Sequence, residues 1–84
     1  MKPITERIAP PTPEEVRLAR ENASLTQAGA AELVSPAKVA GYKTWAGYET
    51  PEGHRNHRAI PLAVWELFLL LTNQHPSLKL SKKR

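Results

Sequence analysis

From Pro13 to Asn73 the apolar residues recur at helical intervals, and no stretch keeps the two-residue alternation of a strand. The pattern predicts an all-α chain. Thr12-Pro13-Glu14-Glu15 opens the first predicted helix. Thr12 can cap it, Pro13 suits its first position, and Glu15 completes a capping box. Val16, Ala19 and Ala23 carry its buried stripe, and the helix spans about 13–22. The second begins at Leu25-Thr26-Gln27 with Thr26 as cap, and Ala30, Leu33 and Val34 face inward. Pro36 forces Ser35 out of helical geometry, so residues 35–40 form a turn. The third covers Tyr42 to Tyr48, with Trp45 and Tyr48 turned inward three positions apart. Thr50-Pro51-Glu52-Gly53 breaks it, His54 to Arg58 is a polar, basic loop, and Pro61 opens a fourth helix that runs to about Asn73. His75-Pro76 closes that element.

Outside these blocks the pattern fades. Residues 1–11 contain Pro3, Pro10 and Pro11 without periodicity and are read as a flexible arm. The folded domain is then 12–75, and 76–84 is a basic tail.

The fourth helix is apolar almost all round, from Leu62 through Leu71 with Glu66 as the exception. Such a helix must be covered on more than one side. It is either a deeply buried core helix or the seam of a homodimer. The dimer has the advantage that an 84-residue chain needs extra burial. Trp65, Phe68 and Leu69 are its expected interface residues.

Composition narrows the chemistry. There is no cysteine, so disulfides and thiolate metal sites are excluded, which fits a reducing cytoplasm. PLAVWELFLLL contains Glu66 and is too short to span a bilayer, and residues 1–11 lack the apolar run of a signal peptide. His54 and His57 have the spacing of a metal-ligand pair, but His75 lies beyond a helix and no further ligand is evident. Glu14, Glu15, Glu32 and Glu52 have no partner for acid–base work, and no nucleophile–base arrangement or glycine-rich phosphate loop is present. Neither enzymatic activity nor a metal or other cofactor is expected. Twelve Lys and Arg against eight Asp and Glu give a net charge of +4, and a basic small domain suits a polyanionic partner.

Arg20, Leu25-Thr26-Gln27, Ala30-Ala31, Leu33-Val34 and Thr44-Trp45-x-x-Tyr48-Glu49 resemble the Cro/C1 (Xre-type) helix-turn-helix regulators of phages and bacteria. The resemblance covers about Pro13 to Leu71 and rests on the paired "LTQ" start and "TW-x-x-aromatic-Glu" finish. Here the turn over residues 35–40 is longer than the family's. Loop lengthening is thermodynamically mild, so an inserted surface loop is tolerable there, and Lys38 within it could reach a phosphate.

The resemblance implies a compact lambda-repressor-like helix-turn-helix bundle of four to five short helices. It places the third predicted helix in a DNA major groove. With Trp45 and Tyr48 inside, Tyr42, Lys43, Ala46 and Gly47 would face base edges. Lys43 can donate to guanine, and the small pair allows close approach and a thymine methyl contact. Gln27, Lys38, Thr44, Arg55 and Arg58 are the candidate phosphate contacts. An arm entering a minor groove would use Lys2 and Arg7. Arg20 and Glu49 would form a structural ion pair that fixes the reading helix.

The expected function is a sequence-specific transcriptional regulator, a dimeric phage-type repressor on an inverted-repeat operator in double-stranded DNA. It would act in the cytoplasm of a bacterium or a phage-infected host. With no room for a sensor domain in 84 residues, no small-molecule effector is expected and promoter occupancy is the simplest mechanism. The alternative is an antitoxin or other protein-interaction module on the same scaffold, working through the fourth helix.

Overall fold

The computed structural model describes residues 3–34, 41–76 and 78, and among them there are five helices and no strand. They are α1 (Ile4–Arg7), α2 (Pro13–Asn22), α3 (Gln27–Val34), α4 (Gly41–Glu49) and α5 (Leu62–Leu71).

Local signals in the sequence set most of the helix ends. Thr12 and Glu15 cap each other: the Thr12 hydroxyl accepts from the Glu15 N–H at 3.1 Å, and the Glu15 carboxylate accepts from the Thr12 N–H at 2.9 Å. Thr26 caps α3 by accepting from the Gly29 N–H at 3.0 Å. Both α2 and α5 end on a left-handed residue, Ser24 at φ 60° and Asn73 at φ 61°. Leu25 N–H donates to Arg20 O at 3.1 Å and Ser24 N–H to Glu21 O at 2.9 Å. Gln74 N–H and Asn73 N–H repeat this on Leu69 O and Leu70 O, at 2.7 and 3.2 Å. These paired bonds satisfy the last helical carbonyls and turn the chain sharply. Asn73 therefore ends α5, ahead of His75-Pro76.

The core is centred on Trp45, Phe68 and Val16, all but fully buried. The Trp45 and Phe68 ring centroids lie 4.9 Å apart, and Tyr48 meets Trp45 edge-on at 5.5 Å. Ala19, Ala30 and Ala31 let the helices close around these rings. α3 packs chiefly on α4, α2 also packs on α4, and α5 lies against α3 and α1.

The first departure from expectation is the segment 1–11. Pro3 precedes a helical turn, Ile8 is buried in the core, and Ile4 packs against it. Ile8 is the extended C-cap of α1, its N–H donating to Ile4 O at 3.1 Å. The packed unit thus includes residues that the sequence pattern assigned to an arm.

The second is α5. Trp65, Phe68 and Leu69, expected at a dimer interface, are buried in the chain's own core. That side of α5 packs against the rest of the chain, including α3 and α1. The apolar residues left exposed are Ala63, Leu67 and Leu71, the two leucines at 41% each. No helix among the described residues is long and apolar enough to cross a membrane.

Candidate nucleic-acid interface

The placement of α4 depends on Glu49 at its C-terminal end. Arg20 donates to both Glu49 oxygens, Nε at 2.6 Å and Nη2 at 3.0 Å, and its Nη1 donates to Leu25 O at 3.0 Å. Trp45 Nε1, one turn back on α4, donates to Glu49 at 2.6 Å, and Gln27 Nε2 on α3 donates at 3.1 Å. One carboxylate therefore ties together α2, α3 and α4. Burial pushes the Glu49 carboxyl up, but the hydrogen bonds from Arg20, Gln27 and Trp45 outweigh it and hold the group below the usual carboxylate range. The Trp45 indole N–H, buried in the core, gains its required acceptor from the same contact.

Gln27, a candidate phosphate contact, also belongs to this network: one N–H of its amide donates to Glu49, and its second N–H is left over. The carboxylate can only accept, so the amide must donate to it.

On the opposite side of α4, Tyr42 is 54% exposed, Lys43 is exposed, and Ala46 and Thr44 are half-buried. Gly47 departs from the expected outward face: it is buried. Arg58 lies over it, so that a Cβ at residue 47 would stand 3.0 Å from Arg58 Cγ and Cδ and 3.2 Å from its Cβ. Gly47 is therefore not free to meet a base.

The loop that brings Arg58 there is fastened to the end of α4. Arg58 N–H donates to Gly47 O at 3.0 Å. The Thr50 hydroxyl donates to Ala46 O at 2.8 Å, and His57 Nδ1 meets Thr50 O at 2.8 Å. His54 Nδ1 accepts from Asn56 N–H at 3.0 Å. The H-x-x-H pair thus braces the loop, and among the described residues no group of three or more His, Asp or Glu is placed to hold a metal ion.

Between α4 and this loop lies an open cleft of about 640 Å³ whose lining includes Lys43, Ala46, Arg55, Asn56 and Arg58. Its cations differ from the others in the fold. Arg7 pairs with Glu66, Arg17 with Glu14 and Glu21, and Arg20 with Glu49. Among the described residues no ion pair engages Lys43, Arg55 or Arg58. Lys38 and Lys2 lie outside the described residues.

A second charged cluster has no counterpart in the sequence reading. Glu66, buried on α5, accepts from Arg7 Nε and Nη2 at 2.8 Å each and contacts His75 Nε2 at 2.8 Å. Arg7 is thereby committed to the protein interior and not to a minor groove. The one available signal was Glu66 itself: a carboxylate inside an otherwise apolar helix must find a partner if it is buried.

Compared with protein-family models, with curated proteins and with solved structures, the chain has no match.

Proposed function

We propose that the chain is a sequence-specific DNA-binding regulator of the Cro/C1 helix-turn-helix kind, acting as a homodimeric repressor on an inverted repeat. In this reading α3 and α4 form the helix-turn-helix pair and α4 enters the major groove. Tyr42, Lys43 and Ala46 meet base edges, while Arg55 and Thr44 meet flanking phosphates. Such a protein works in the cytoplasm.

The observation that carries the reading is the segregation of charge. The arginines on α1 and α2 are matched by carboxylates, whereas the unmatched cations Lys43, Arg55 and Arg58 line one cleft beside the exposed face of α4. A surface of that kind attracts a polyanion and releases its counterions. The deciding experiment titrates the protein into random duplexes and into duplexes selected from a random pool, at several salt concentrations. Affinity should fall steeply with salt and exceed the random level on selected sequences. Absence of salt-dependent binding would sink the reading.

A second reading, a protein-interaction module such as an antitoxin, has one observation in its favour: Leu67 and Leu71 stand exposed on α5. A stable complex with an unlike protein, formed by a chain that ignores DNA, would select it.

A further inference from the structure

We propose that Arg58 is a specificity-determining residue, and that Gly47 is a glycine so that Arg58 can occupy the face of α4 in its place. The inference rests on the DNA-binding reading above.

Residue 47 stands one turn beyond Lys43, and so on the same outward stripe. A side chain there would project from that stripe. The chain instead leaves the position bare, and the Arg58 stem from the loop lies 3.0–3.2 Å from where a Cβ would stand. Those close contacts are with Cβ, Cγ and Cδ, the root of the side chain and not its mobile end. The Arg58 backbone is also held, through its N–H on Gly47 O at 3.0 Å. The backbone is thus held and the stem runs along Gly47, while the residue as a whole stays exposed to solvent.

This placement bears on what the guanidinium does. A phosphate presents several equivalent oxygens and can be met by a guanidinium from many directions, so the course of the stem matters less to that contact. A guanine edge requires two parallel donors in one plane. Restricting the stem in advance lowers the entropy lost when that geometry forms. Arg55, exposed on the same loop, has no such restraint among the described residues and suits phosphate contact. The helix and its loop therefore present a composite reading surface of Tyr42, Lys43, Ala46 and Arg58.

The test selects duplexes from a random pool with the parent, Arg58→Ala, Arg58→Lys, Gly47→Ala and the Gly47→Ala/Arg58→Ala double variant. Winning and scrambled duplexes are then titrated. Arg58→Ala and Arg58→Lys should both lose preference at one base pair, with discrimination there falling about tenfold or more. Arg58→Lys should bind scrambled duplexes as the parent does, since the charge is kept. Gly47→Ala should lose preference at the same base pair, and the double variant should do no worse than Arg58→Ala alone. If Gly47→Ala does not fold, Arg58→Lys, which leaves the glycine and the loop intact, decides the matter. The proposal is overturned if Arg58→Lys keeps every preference of the parent, or if Arg58→Ala weakens winning and scrambled duplexes by one common factor. A parent that enriches no sequence would instead remove the underlying DNA-binding reading, and the proposal with it.

Discussion

Arg7 and Glu66, 59 positions apart in the chain, form a two-point hydrogen-bonded pair with both N···O distances at 2.8 Å. The pair joins α1 to α5, and His75 closes it from the turn after α5. Hydrogen bonding from Arg7, partly opposed by burial and aided by His75, pushes the Glu66 carboxyl down to about 2 from its ordinary 4.5. A carboxyl whose pKa is depressed in the folded state contributes stability that is complete above its unfolded value and lost as pH falls through its folded value. Stability should therefore decline between about pH 4.5 and pH 2. In Glu66→Gln that part of the acid limb should be flatter, as followed by urea unfolding at stepped pH. A Glu66→Gln profile parallel to the parent's would show that the pair does not carry the acid sensitivity.

Removing Arg7 tests the other half of the relationship. Arg7→Ala leaves Glu66 buried without its principal partner, and Ile8 loses the anchor beside it. The melting temperature should drop by several degrees, with the protein still helical by circular dichroism. Arg7→Ala/Glu66→Leu should recover part of the loss, because the orphaned carboxylate is then gone. An unchanged melting temperature in Arg7→Ala would mean that α1 adds nothing to the fold.

The Arg20–Glu49 pair is the stronger structural wager. Glu49→Ala strands the Arg20 guanidinium and deprives the Trp45 indole N–H of its acceptor at one stroke. Breaking a largely buried pair costs about 3 kcal/mol, at the lower end of the usual range because Arg20 keeps some solvent contact. Arg20→Ala should cost a similar amount, and the double variant should cost well under the sum of the two. Urea titrations followed by tryptophan fluorescence give all the corners of that cycle. Strict additivity would count against a shared network.

Where sequence reasoning succeeded, the determining interactions were local. The Thr12–Glu15 capping box and the Thr26 cap act within one turn, and the inward aromatic at Trp45 follows from helical spacing. It failed where a distant segment decides the outcome. Four residues of α1 are too few to display a helical period, and their order comes from Ile8 and Arg7 reaching α5. An all-apolar helix has no face that its sequence distinguishes, so nothing marked Trp65, Phe68 and Leu69 as the inner side of α5. The one polar residue misleads, since Glu66 points inward. Gly47 looked outward because helical spacing treats α4 as bare, and only the returning loop shows that Arg58 covers it.

Two further variants separate reading from attraction at the proposed interface. Lys43→Ala should weaken binding to selected duplexes by about 1–3 kcal/mol and relax preference at one base pair. Arg55→Ala should weaken binding to all duplexes alike and reduce the salt slope by about 1. The measurement is fluorescence anisotropy on selected and scrambled duplexes across a salt series. Binding equal to the parent's in both Lys43→Ala and Tyr42→Ala would show that α4 is not the reading helix.

A homodimer built on α5 would have to use the face that the core leaves open. Ala63, Leu67 and Leu71 follow one another at intervals of four and make a stripe, flanked by the half-buried Val64 and Leu70. Each leucine is already more than half buried in the subunit, so covering the rest gains only part of the roughly 1.5–3 kcal/mol of a full burial. It does so in both subunits, however, and an aspartate there would also bury an unpaired charge. Leu67→Asp or Leu71→Asp should weaken self-association at least roughly tenfold. Neither change touches the inner rings, and helicity and melting of the subunit should persist. Phe68→Ala acts on the opposite side of the helix. It opens the centre of the core beside Trp45 and should cost about 3–5 kcal/mol of folding stability, a large share of what a domain of this size possesses. Sedimentation equilibrium of the parent and the two aspartate variants distinguishes these effects. A Leu67→Asp/Leu71→Asp protein with the parent's concentration-dependent mass would move the dimer contact off α5 altogether.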